Sequence, residues 1–89
     1  MTDSTESALQ FPCTFPVKAM GLARHDIEGI VRQVIRKHAD ESAENTLQQK
    51  HSNGGKYISI TFTVEAQSKE QLDNLYRELS SYEEILMML

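Results

Sequence analysis

Between Lys56 and Ala66 apolar and polar residues alternate one for one. Ile58, Ile60, Phe62 and Val64 stand against Ser59, Thr61, Thr63 and Glu65. Successive side chains of a strand point to opposite faces, so this alternation predicts a strand with one apolar and one polar face. β-branched and aromatic residues dominate and no proline interrupts, which suits a central position in a sheet. The rest of the chain is placed by how it covers that apolar face or pairs with that backbone.

Upstream, Phe11-Pro12 and Phe15-Pro16 bracket Cys13. Proline biases its predecessor toward extended geometry, so the segment enters a strand. From Thr14 to Met20, Phe15, Val17 and Ala19 face the core while Pro16, Lys18 and Met20 face away, and Gly21 ends the strand. Ile27, Ile30, Val31, Val34 and Ile35 then follow the spacing of an amphipathic helix, from about His25 to His38. Asp26 and Glu28 at its start and Arg36, Lys37 and His38 at its end suit the macrodipole. Gly29 is a weak position in it, or one that allows close packing on the sheet.

Ala39 to Glu44 reads as a short acidic loop and Asn45 to His51 as a polar edge strand, guarded by Lys50. Ser52-Asn53-Gly54-Gly55 is a hairpin turn, because these residues tolerate positive φ. Ser68, with Gln71 three residues on, opens a second helix with a capping box. Leu72, Leu75, Tyr76 and Leu79 form its apolar stripe, and Ser80 and Ser81 end it. Ile85-Leu86-Met87-Met88-Leu89 reads as a last strand.

The order is strand, helix, strand, strand, helix, strand. Right-handed crossovers put both helices on one face. The expected fold is an α+β ferredoxin-like βαββαβ sandwich: a four-stranded antiparallel sheet, first and third strands central, with two helices on one face. Residues 1–10 are polar with almost nothing to bury and read as a disordered tail, leaving 11–89 as a single domain.

Composition narrows the function classes. No apolar run approaches the roughly 20 residues that cross a bilayer, and the acidic start is not a signal peptide. The lone Cys13 has no internal disulfide partner, so a reducing, cytoplasmic location is expected. A net charge of -4 disfavours non-specific contact with nucleic acid or anionic membrane. One core in so short a chain gives little net stability, so self-association is expected.

Several residues carry a family resemblance: Phe11-Pro12, Phe15, the K-x-M-G of Lys18, Met20 and Gly21, His38-Ala39, the S-I-T of Ser59 to Thr61, L-Y-x-E-L from Leu75 to Leu79, and M-x-L at Met87 and Leu89. In this order and spacing the chain resembles the small bacterial YbeD-like proteins, a family of uncharacterised function. The resemblance covers nearly everything after the first ten residues. It implies a ferredoxin-like fold similar to ACT regulatory domains, which bind small effectors in oligomers, and it supplies no catalytic residues.

Chemistry is sparse. His25 and His38 fall at opposite ends of one helix and His51 on an edge strand, so they do not converge as metal ligands must. Cys13 has no base near it in sequence to make a nucleophile, and reads as a half-buried, inert thiol. No G-x-S-x-G or S-x-x-K signature occurs. Gly54-Gly55 joins two strands rather than a strand to a helix, so no helix N-terminus awaits a phosphate. No cofactor or metal is expected, nor an enzyme. Arg32, Arg36 and Lys37 form a small basic cluster, read as a solvated helical face.

What remains is the open face of the sheet. Parity assigns Lys18, Met20, Ser59, Thr61 and Thr63 to it. The terminal strand is apolar at every position; the parity chosen puts Ile85, Met87 and Leu89 inward and Leu86 and Met88 outward. The expectation is a non-catalytic regulatory or interaction module, ACT-like, binding a small effector, a protein partner or a second copy. The alternative is a nucleic-acid-binding module, suggested by Gly55-Lys56-Tyr57 at the mouth of the central strand. Ser59 and Thr61, the next outward positions, are not aromatic, and with the acidic net charge this disfavours nucleic acid.

Overall fold

The computed structural model describes residues 10–89. The tail expected over 1–10 therefore lies, but for Gln10, outside the described residues. β1 spans Cys13–Leu22, α1 Ile27–His38, β2 Gln48–His51, β3 Tyr57–Ala66, α2 Lys69–Ser80 and β4 Ile85–Met88. The sheet is antiparallel in the order β2-β3-β1-β4. Both helices pack on one face over a shared core. This is the expected ferredoxin-like sandwich, with β1 and β3 central.

The alternation along β1 and β3 works as the pattern predicts. Phe15 pairs with Val64, Val17 with Phe62 and Ala19 with Ile60, all toward the helices. Val17, Phe62 and Val64 are fully buried there with Ile27, Val31, Val34 and Ile35 of α1 and Leu72, Leu75 and Leu79 of α2. Phe15 meets the Tyr76 ring edge-on at 6.5 Å, a favoured aromatic geometry.

Gly21 does not end β1; the strand runs on to Leu22. Gly21 is there because the chain is crowded. A Cβ at this position would run into the Glu84 carbonyl and the Ile27 side chain. Its lack of a side chain lets the α2–β4 loop and α1 close on the sheet at one point. Gly29 also has a specific neighbour, and it is not the sheet. Asp26 is the N-cap of α1, its Oδ1 accepting from the Gly29 N–H at 3.0 Å. A Cβ on Gly29 would occupy the space of that carboxylate. The glycine weakens the helix interior and makes room for its cap.

The segment read as an acidic loop is a 3₁₀ helix, Glu41–Thr46. Asp40 caps it by accepting from the Ser42 N–H at 2.8 Å, and Ala43 is buried beneath it. It shortens β2 to Gln48–His51. Ahead of β2, Thr46 Oγ1 takes the place of a strand partner, accepting from the Thr63 N–H at 2.8 Å. At α2, Ser68 Oγ accepts from the Gln71 N–H at 3.1 Å, half of the expected capping box. The return bond goes one residue further back, from the Gln67 N–H to Gln71 Oε1. The Gln71 amide also donates to the His38 carbonyl at 2.8 Å, joining the start of α2 to the end of α1.

The parity expected for β4 is corrected by a bulge. Ala19 pairs with Met88 and Met20 with Met87, but Gly21 pairs with Ile85. Leu86 is the extra residue, and it flips the faces on either side of it. Ile85 faces inward as expected, but Met88 also faces inward, while Met87 faces out. Leu89 stands opposite Lys18 through reciprocal backbone bonds of 2.8 and 3.2 Å, which puts it on the outer face as well.

Candidate functional site

Cross-strand register arranges the uncovered face in rows. One row reads Lys50, Ser59, Met20, Met87; the next reads Gln48, Thr61, Lys18, Leu89. Thr63 lies beyond, opposite Pro16, and Tyr57 opens β3 at the other end, opposite Leu22. The strands fix these positions because the other parity is committed to the core. Hydroxyls occupy the centre, lysines flank them, and methionine and leucine occupy the β4 side.

Of the residues assigned to this face from sequence, Lys18, Met20, Ser59, Thr61 and Thr63 share it. Met88 does not; it packs against the core. Leu86 is exposed, but as the bulge residue it lines a recess at the end of the sheet with Leu22, Arg24, His25 and Glu84. Met87 and Leu89, which the sequence reading turned inward, are 50% and 62% exposed and complete the apolar side of the face. They went unseen because β4 has no polar residue to mark its parity.

The helical side differs in its electrostatics. Arg32 donates to Glu28 at 2.8 Å and to Glu44 at 3.1 Å, and Arg36 Nε to Glu44 at 2.9 Å. Glu78 on α2 receives Lys37 at 2.9 Å and meets His38 Nε2 at 2.7 Å. The Arg36 hydrogen bond, helped by Arg32, holds the Glu44 carboxyl below the usual carboxylate range. His38 first and Lys37 second do the same for Glu78. Arg32 is raised by Glu28 and then Glu44, Arg36 by Glu44 and Lys37 by Glu78. The basic cluster read as a solvated face is therefore ion-paired. Glu44 lies 8 and 12 residues from its arginines, so no helical spacing announced it.

Lys18 and Lys50 on the open face make no ion pair among the described residues. The chain is acidic in sum, yet the uncovered face presents cations free to meet an anion. The other sequence candidates stay apart. Cys13 is half-buried against the core. Among the described residues no group of three or more His, Cys, Asp or Glu is placed to hold a metal ion, and no helix is long and apolar enough to cross a membrane. Gly54 and Gly55 take φ of 86° and 76° in the turn between β2 and β3, the left-handed region for which glycine suits the turn.

The family model described as "Protein of unknown function (DUF493)" matches residues 6–89. A UPF0250 protein of Janthinobacterium sp. (strain Marseille) is 46% identical over 80 residues, covering 90% of this chain and 88% of the relative. A UPF0250 protein of Hahella chejuensis is 35% identical over 91 residues and the whole of both chains. Among solved structures, the solution structure of protein HP0495 from H. pylori superposes with a TM-score of 0.66 at 9% identity. That match covers 100% of this chain and 96% of the other, and it bears on the fold alone.

Proposed function

The chain belongs to the DUF493 (UPF0250) family of proteins of unknown function, the YbeD-like proteins, and for this member we propose a non-catalytic interaction module that binds an acidic protein partner through the open face of its sheet. The observation that carries the reading is the segregation of charge. Arg32, Arg36 and Lys37 of the helical side are answered by Glu28, Glu44 and Glu78, whereas Lys18 and Lys50 make no ion pair on the open face, whose carboxylate Glu65 stands at the far end of β3, opposite Thr14. Beside them Met20, Met87 and Leu89 offer apolar contact, and methionine adapts its shape to what it meets. Apolar side chains beside polar and charged ones on one exposed face suit contact with a protein. A second copy presents the same lysines, so face-to-face pairing brings like charges together; a distinct acidic partner fits better.

A regulatory role in the manner of ACT domains is the finer form of this proposal. Its support is the shared sandwich architecture, which hosts many functions.

Nucleic acid is the second reading, and Tyr57 is the observation in its favour. It is exposed at the end of β3, with the Lys56 ammonium 5.5 Å from its ring centroid. Single strands use such aromatic and cationic groups. Against it, Tyr57 stands alone, and the hydroxyls of Ser59, Thr61 and Thr63 occupy the outward positions where stacking rings would be needed.

Affinity capture from native extract tests the reading. The wild type, a Lys18→Glu/Lys50→Glu variant and an Arg36→Glu variant are compared in low and high salt. The reading expects an acidic protein retained by the wild type and by Arg36→Glu, and lost from the double variant and in high salt. Retention by the double variant removes the open face from the account, and recovery of RNA instead favours the second reading.

A further inference from the structure

One end of the molecule gathers features that a partner on the sheet face does not use. The β1–α1 loop, the β2–β3 turn and the α2–β4 loop meet there. The Ala23 N–H donates to the Lys56 carbonyl at 2.8 Å, locking the first loop to the turn. Between them lies a recess of about 430 Å³ lined by Leu22, Arg24, Gly55 and Lys56. Leu22 and Arg24 also line a second recess of about 250 Å³, on whose far side stand Glu83, Glu84 and Leu86. The two recesses share a wall.

We infer that this end of the sandwich binds a small monocarboxylate with an apolar body, its head between Arg24 and Lys56 and its body along Leu22. Arg24 and Lys56 make no ion pair among the described residues, unlike Arg32, Arg36, Lys37 and Lys69. A guanidinium offers a carboxylate two parallel N–H donors, and the ammonium adds a point charge. The Tyr57 ring steadies that ammonium without neutralising it. Gly55 lines the recess beside them, and a Cβ on it would meet nothing within 4 Å.

Size and charge narrow the ligand. The larger recess suits a body on the order of ten non-hydrogen atoms, the lower end of small-molecule sites. Leu22 supplies its apolar floor, and the exposed Leu86 extends apolar contact into the second recess. Glu83 and Glu84 beyond it repel a second negative charge, which sets a monocarboxylate apart from a dicarboxylate, a nucleotide or a polyanion. The site sits at the end of the sheet, where it shares Leu22 and Tyr57 with the edge of the open face, and it uses none of Lys18, Lys50, Met20 and Met87, so it stands whether or not a partner binds there.

Titration of the isotope-labelled chain with 4-phenylbutyrate to about 10 mM, followed by amide spectra, tests the inference at the affinity expected of a small probe. Saturable shifts are expected at Leu22, Ala23, Arg24, Gly54, Gly55 and Lys56. 4-Phenylbutanol, 4-phenylbutylamine and glutarate should each bind at least about tenfold more weakly. Arg24→Gln and Lys56→Gln, both at exposed positions, should keep the remaining spectrum and lose about tenfold in affinity. Shifts that do not saturate, equal binding of the alcohol or of glutarate, or unchanged affinity in both variants would each overturn it.

Discussion

Ile85 and Met88 lie three positions apart in β4 and both turn toward the helices. In a regular strand they would point to opposite faces. The extra residue between the paired positions is Leu86, and the bulge it makes sits opposite the Met20–Gly21 step of β1. Gly21 faces Ile85 there, beneath the Glu84 carbonyl and the Ile27 side chain. The same local irregularity turns Met88 toward the core, where it is half-buried, exposes Met87 and gives the open face its apolar side.

Lysine substitutions along β4 should therefore have opposite consequences. Met88→Lys puts a charge against the core and should cost about 1–3 kcal/mol. Met87→Lys should stay within about 0.5 kcal/mol, because the side chain already meets solvent. Urea denaturation of the two variants checks the order, and equal losses would contradict the bulge.

Gly21→Ala should destabilise the domain by about 1–3 kcal/mol, since the new methyl meets a backbone carbonyl that cannot move aside alone. Thermal melting against the wild type measures it. Gly54→Ala has free space and should lose only the cost of a positive φ, about 1 kcal/mol.

Phe62→Asp should abolish the cooperative transition altogether, because it leaves an unpaired charge in the centre of the core. Thr61→Asp, on the outer face, should cost about 1 kcal/mol or less. Circular dichroism with temperature separates the two outcomes.

Acid stability should depend on Glu44 and Glu78. Both carboxyls titrate below their ordinary range in the fold, Glu44 through Arg36 and Glu78 through His38. A depressed folded value means stability that is present above the ordinary carboxylate range and lost as pH falls through the folded value. Glu44→Gln and Glu78→Gln should each be less stable than the wild type near neutrality and lose less on acidification from about pH 6 to about pH 3. Denaturant midpoints along that range check the slope; parallel curves would mean that neither pair matters.

The sequence carried the fold where its pattern was two-valued. Ile58 to Val64 alternate with polar residues, so β3, its parity and its three outer-face positions, Ser59, Thr61 and Thr63, could be read directly. Ser68 was legible as the cap of α2, whereas Asp26, read as an acidic residue within the start of α1, is the N-cap of a helix that begins at Ile27. The pattern carried nothing where it had one value. Ile85 to Leu89 are all apolar, so neither the bulge nor the positions of Met87 and Met88 could be read there. Glu41 to Thr46 are mostly polar, and only the small Ala43 hinted at a buried turn. The pairing of Glu44 with Arg36 and of Glu78 with His38 depends on tertiary approach across 8 and 40 residues, which no local spacing encodes. The charge asymmetry between the two sides became visible only with those pairs in place.

The most direct measurement of the central claim is an amide spectrum of the labelled chain in complex with the acidic protein recovered by capture. Binding through the open face predicts shifts and broadening along Lys18, Met20, Ser59, Thr61, Thr63, Met87 and Leu89, with Val31, Val34, Leu72 and Leu75 unmoved. Changes concentrated instead on the exposed surfaces of α1 and α2, with β1 and β3 silent, would contradict it.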